Sequence, residues 1–156
     1  MNSIKNNIAL KIVEYFSKIA DACSKPVILY NVPSRTGVNI KPSTVLELSK
    51  HPMINAIKEA SGDISQIAEV AHLCGDNMVI YSGNDDQTIP IMALGGKGCI
   101  SVLSNLLPKE SSEMCRAFKE GDVKKACESF DVVETEIACT DDPVFYAKSL
   151  TNKKYK

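Results

Sequence analysis

The chain has 156 residues, 44% hydrophobic and 24% charged, with a formal net charge of −1, a make-up that gives a globular domain one sizeable core. No Lys/Arg run occurs before the last few residues, which speaks against nucleic acid or an anionic membrane as partner. Polar NSIKNN follows Met1 and no run of 18 apolar residues occurs, so neither a secretion signal nor a membrane span is expected and a cytoplasmic location follows.

In chain order, Ile8, Ile12, Val13, Phe16, Ile19, Ala20 and Cys23 recur at helical spacing and predict an amphipathic helix over 7–23. Pro26 ends it, and VILYNV (27–32) has the pattern of a strand covered on both faces. PSRTGVNIKP reads as a loop and STVLELSK as a short helix with Ser43 as its N-cap. INAIKEA predicts a strand, DISQIAEVAHLCG a helix opened by Asp63 and closed by Gly75, and MVIYSG another strand. DDQTIPIMALGG reads as a helix with a glycine end, GCISVLSN as a strand, and PKESSEMCRAFKEG as a helix running to Gly121, with two more helical stretches in the tail. Strands therefore recur near residues 27, 54, 78 and 98 with helices between them, the alternation of a parallel α/β fold. Two architectures fit this beat: a small doubly wound sheet, or part of a (β/α)8 barrel, which when whole takes about 250 residues.

The six cysteines have no two-residue spacing and His51 and His72 stand apart, so neither a zinc knuckle nor a Ser-His pair can be assembled locally. GGKG precedes a strand, whereas a phosphate cradle opens a helix. The adjacent carboxylates of NDD (84–86) could hint at a divalent cation, but with no third ligand in view they read as helix-capping residues, and no metal is expected.

In parallel α/β folds the chemistry gathers at the C-terminal ends of the strands. Here those ends carry Tyr30-Asn31, Lys58-Glu59, Gly83-Asn84-Asp85-Asp86 and Ser104-Asn105. Alternation puts Ala56, Lys58 and Ala60 on one face and Ile57 with Glu59 on the other. Alanine neighbours give the ammonium room but no counter-charge, a setting that disfavours the charged form. A neutral amine is what attack on a carbonyl requires. The bland reading of Lys58 is an edge lysine snorkelling to water.

LYNVPSRTG (29–37), IKEASGD, YSGNDD and GGKGCISVLSN, at these spacings, resemble the dihydrodipicolinate synthase family of class I pyruvate-dependent aldolases, to which N-acetylneuraminate lyase is related. The resemblance runs from about residue 7 to 130, and Arg35 together with KEASGD favours the synthases over their sialic-acid relatives. It implies that Lys58 forms a Schiff base with pyruvate and that Tyr30 relays protons. It implies that Arg35 holds the carboxylate of the second substrate, aspartate semialdehyde. Gly83 and Ile100 match positions lining the pyruvate site. No cofactor is implied.

The same resemblance makes the chain one partial domain, the C-terminal half of a TIM (β/α)8 barrel, with βα units over about 7–107 and helices over 108–156. The family's four preceding βα units, with their Gly-Thr-Thr pocket for the pyruvate carboxylate, have no counterpart here. Expected partners are thus a second copy of the chain or a missing N-terminal half-barrel, and the chain alone is expected to be weak or inactive. Alternatives are a non-catalytic half-barrel remnant or assembly module, and a lyase acting on N-acetylneuraminate.

Overall fold

The structure, a computed structural model, describes residues 2–130, with side chains from Ile8 onward. Contacts divide the chain into two compact units, Met1–Ile100 and Ser101–Lys156.

The first unit is a three-stranded parallel sheet in the order β1 (Val27–Asn31), β2 (Ile54–Glu59), β3 (Val79–Ser82). Helix α1 (Asn2–Ala22) precedes the strands, α2 (Pro33–Thr36), α3 (Pro42–Leu48) and α4 (Ile64–Cys74) connect them, and α5 (Thr88–Ala93) follows β3. The α/β alternation and parallel pairing are those read from the sequence. Register places Tyr30 beside Lys58 and Lys58 beside Tyr81.

Alternation along the strands sorts the side chains. Leu29, Ile57 and Ile80 are buried with Val45 and Leu48 of α3, Ile67 and Val70 of α4, and Ile91 of α5. Each such side chain contributes about 1.5–3 kcal/mol when withdrawn from water. On the other face Ile28 and Tyr30 remain 48% and 42% exposed among the described residues. VILYN is therefore apolar on both sides yet covered on one. From α1, Ile12, Val13, Phe16 and Ala20 meet the core, whereas Ile8, and Cys23 just beyond the helix, are exposed.

Three local expectations are corrected. GCISVLSN is not a full strand: a single parallel bridge joins Cys99 to Ser82, with the Lys97 amide bonding Ile80 O at 2.9 Å and the Ile100 amide bonding Ser82 O at 2.8 Å. Farther on, Ser101 Oγ accepts the Ser104 amide at 2.8 Å, and Leu103–Asn105 coil into a 3-10 turn. PSRT is not loop but one helical turn, because Pro33 has its φ preset for a first helical position. Gly37, at φ 68°, ends that turn in the left-handed conformation that glycine adopts without steric cost. Ser43 is not the cap of α3; Lys41 occupies that position with no side-chain cap bond, and Pro42 begins the helix. Asp63 does cap α4, its Oδ1 accepting the Gln66 amide at 3.0 Å, and Gly75 closes it.

In the second unit, α6 (Pro108–Lys119) is followed by helical residues 123–130. Glu113 of α6 pairs with Arg116 one turn on and with Lys125 of the next helix. The remaining expected tail helix, and Cys139, lie outside the described residues. Among those described, no helix is long and apolar enough to cross a membrane.

Candidate active site

Lys58 projects from the exposed sheet face near the tip of β2. Its Nζ stands 4.3 Å from the centroid of the Tyr30 ring, on the neighbouring strand. This is a cation–π pose, in which the ring face rather than the phenol oxygen meets the ammonium. Lys58 forms no ion pair among the described residues, so the ring is the neighbour that orients it.

Gly83, directly after β3, forms the other side of this site. A Cβ built there would lie 2.8 Å from Ala60 Cβ and 2.9 Å from Lys58 Cε. The Gly83 amide bonds Glu59 O at 2.6 Å. A plain turn glycine would not need such closeness; here any side chain would displace the lysine stem. Tyr30, Lys58 and Gly83 are thus brought together. Ile100 is fixed through its amide on Ser82 O and is 39% exposed rather than a core residue. Arg35 lies on the turn α2 after β1, exposed, with no side-chain partner among the described residues.

Behind the lysine lies a network that sequence reasoning missed. Glu59, 0% exposed, points away from Lys58, and its Oε1 accepts Asn31 Nδ2 at 3.0 Å while Oε2 accepts the Ser61 hydroxyl at 2.8 Å. Asn31 Nδ2 also donates to Asn39 Oδ1 at 3.1 Å, and Asn31 Oδ1 accepts the Ile40 amide at 3.0 Å. Asn39 and Gln66 exchange two further bonds, at 3.0 and 2.9 Å. Burial pushes the Glu59 carboxyl above its ordinary range, against the pull of the bonds from Asn31 and Ser61. A signal was present: alternation puts Glu59 on the helix-covered side, where a carboxyl needs hydrogen-bonding partners.

The cap position of α5 falls on Gln87, just after NDD rather than within it, and Gln87 makes no side-chain cap bond. Asp85 O instead accepts the Thr88 amide at the end of a 3-10 turn. Among the described residues no group of three or more His, Cys, Asp or Glu is placed to hold a metal ion. Ser104 and Asn105 belong to the second unit.

A lysine at the C-terminal rim of a parallel sheet, stacked on a tyrosine of the neighbouring strand, invites comparison with known proteins. The model of the dihydrodipicolinate synthetase family matches residues 8–138, a span that contains Tyr30, Arg35, Lys58, Gly83 and Ile100. The chain belongs to this family. The 4-hydroxy-tetrahydrodipicolinate synthase of Alkaliphilus oremlandii is 57% identical over 117 residues, covering 75% of this chain and 40% of that protein. That of Clostridium perfringens (strain SM101 / Type A) is 54% identical over 109 residues, 70% of this chain and 38% of the relative.

Crystal structures of family members superpose closely. Dihydrodipicolinate synthase from Aquifex aeolicus gives a TM-score of 0.78 at 34% identity, over 94% of this chain and 47% of that one. The chloride-inhibited enzyme from Acinetobacter baumannii, complexed with pyruvate, gives 0.79 at 32%, over 92% and 50%. The chain thus spans about 40% of the length of its curated synthase relatives.

Proposed function

We propose that this chain carries the imine-forming half of a pyruvate-dependent synthase, with Lys58 as the Schiff-base lysine. The carrying observation is the pose of Lys58, stacked at 4.3 Å on Tyr30 and close against the Gly83 backbone, at the C-terminal tip of a parallel strand. The chemistry runs as follows. The Lys58 ammonium leaves the ring face and gives up a proton to water. The free amine then attacks the ketone carbon of pyruvate, whose oxygen takes up a proton to give the carbinolamine. Loss of water from the carbinolamine gives the imine, and loss of a proton from the methyl carbon gives an enamine. That carbon then bonds to the aldehyde carbon of aspartate semialdehyde. The aldehyde oxygen takes the C=O π pair and a proton to become a hydroxyl. The imine on Lys58 re-forms, and attack of water or of the substrate's own amine on it frees the lysine. Tyr30, one strand away, hands a proton to the departing carbinolamine oxygen. Arg35 offers a planar two-pronged donor to the carboxylate of the aldehyde substrate. Gly83 leaves room beside the keto acid, and the Ile100 main chain lines the same site. Curated relatives named as synthases favour this reading over a lyase acting on N-acetylneuraminate.

The same face supports a second element of the proposal. With Ile28, Tyr30 and Ile100 exposed, the Lys58 face of this half-barrel is completed by a second copy or by a polypeptide carrying the remaining βα units, since an open apolar sheet face drives association. Alone, the chain turns over weakly, because positioning and proton transfer each contribute large factors. The alternative, an assembly module without catalysis, rests on the same exposure.

Borohydride reduction in the presence of pyruvate, followed by peptide mass spectrometry, tests the reading. Label on Lys58 alone is expected. Label spread over several surface lysines, or none in a folded preparation, overturns it. Mixing the chain with a separately expressed N-terminal half should raise pyruvate-dependent condensation. Full synthase activity from the 156-residue chain by itself would defeat the need for a completing half.

A further inference from the structure

We infer that Glu59 is a positioning residue, whose buried carboxyl, acting through Asn31, holds the Arg35-bearing segment in place against the strand that carries Lys58. The inference rests on the roles given above to Lys58 and Arg35.

The chain leaves β1 at Asn31, makes the turn α2 with Arg35, and returns through residues 37–40 to α3. That return path belongs to no strand. Side chains hold it instead. Val38 N bonds Thr36 Oγ1 at 3.2 Å, Ile40 N bonds Asn31 Oδ1 at 3.0 Å, and Asn39 exchanges bonds with Gln66. Asn31 is the hinge of this arrangement, and its amide can serve Ile40 only while its orientation is fixed. Glu59 Oε1 fixes it by accepting Asn31 Nδ2 at 3.0 Å.

Glu59 is equally tied into the strand tips. Its carbonyl accepts the Gly83 amide, and the next amide, Ala60 N, bonds Asn31 O at 2.8 Å. One residue therefore references β1, β2, the start of the Gly83 turn and the return path of the Arg35 segment. Strand alternation puts its carboxyl on the side opposite Lys58, so it acts on the geometry without touching the reacting atoms. A carboxyl buried without an ion pair among the described residues is a costly choice for mere space filling, where Leu or Met would serve. Directed hydrogen bonds are what those residues cannot supply.

The test compares Glu59→Gln with Glu59→Leu in the full chain by amide hydrogen exchange. Gln keeps an acceptor for Asn31 and a donor for Ser61; Leu keeps only bulk. In Glu59→Leu the Ile40 amide should exchange roughly tenfold faster, the scale of one lost hydrogen bond, while the Ala60 amide keeps its protection. Glu59→Gln should restore Ile40. In reductive trapping, imine formation at Lys58 should survive in both. Where condensation is followed with a completing half, KM for aspartate semialdehyde should rise about tenfold in Leu and not in Gln.

An unchanged Ile40 amide in Glu59→Leu, or a Gln variant no better than Leu, overturns the inference. Joint loss of Ile40 and Ala60 protection also overturns it, because Glu59 would then support the fold at large. If Glu59→Leu does not fold, Glu59→Asp carries the test. Its carboxyl is one methylene shorter and drawn back from Asn31 Nδ2, which Glu59 holds at 3.0 Å, so faster exchange at Ile40 with Ala60 protected is expected, and no change refutes. Absence of any imine in the unmodified chain would defeat the role given to Lys58, while Ile40 exchange would still judge Glu59.

Discussion

The backbone at Gly83 passes so near Lys58 that a methyl group on it would meet Lys58 Cε at 2.9 Å and Ala60 Cβ at 2.8 Å. Neither distance is tolerable between carbon atoms; the flexible lysine stem can swing aside, whereas the Ala60 contact is relieved only by a shift of backbone. Gly83→Ala should therefore swing Lys58 off the Tyr30 ring and cost about 1–3 kcal/mol of stability, the range for overpacking. Urea unfolding measures the stability, and reductive trapping with pyruvate should show slower imine formation. Unchanged trapping would mean the lysine reaches its ketone from another pose.

Tyr30→Phe separates two properties of one side chain. Phenylalanine keeps the ring face on which Lys58 rests at 4.3 Å, so stability should change by less than about 0.5 kcal/mol. The hydroxyl is lost, and imine formation should slow by on the order of 10²-fold, the scale of one general acid–base group. Quenched-flow trapping with borohydride gives the rate. Tyr30→Leu, lacking both ring and hydroxyl, should be worse in both respects.

Arg35 is exposed and without a side-chain partner among the described residues, so Arg35→Ala should leave the melting temperature nearly unchanged. Its effect should fall on the second substrate: in a completed assembly, KM for aspartate semialdehyde rises about 10²-fold, as expected for a lost two-pronged charged contact of about 1.5–3 kcal/mol. Imine formation at Lys58 should persist. Equal loss of both steps would assign the arginine to holding the pocket together.

Two carboxyls give the chain opposite pH dependences. Glu59 titrates above its ordinary value of 4.5, chiefly because it is buried. The folded chain then holds this proton more tightly than the unfolded chain, and its contribution to stability falls as pH rises from about 4.5 through the raised value. Glu59→Gln carries no such proton, so its urea midpoint should decline less over that interval than that of the unmodified chain. An identical decline in both would show that the Glu59 proton has no part in it.

Glu113 is the reverse case, held down to about 2 by hydrogen bonds first from Lys125 and then from Arg116. Its contribution is fully present above the ordinary value of 4.5 and is lost as pH falls toward 2. Glu113→Gln should remove that acid-side loss from the second unit, seen as weaker pH dependence of helical circular dichroism between those limits. The pairs are exposed, so added salt should shrink the effect.

Sequence by itself determined what depends on local chemistry and period. The alternation of short apolar runs with amphipathic stretches specified parallel βα units, and Asp63 could be read as the cap of α4 because an Asx side chain before an apolar helix accepts a nearby amide wherever it occurs. The placing of Lys58 on the face opposite Ile57 followed from strand alternation alone. What only the tertiary structure decided lies between strands. Lys58 stacks on Tyr30 because parallel register sets residues 28 positions apart side by side, and Gly83 is obligatory because β3 delivers its backbone onto the lysine stem. The Glu59–Asn31–Asn39–Gln66 network and the shrinking of GCISVLSN to one bridge belong to the same class. Each rests on contacts between segments far apart in the chain, and no propensity or period of a single segment encodes where its neighbour will stand.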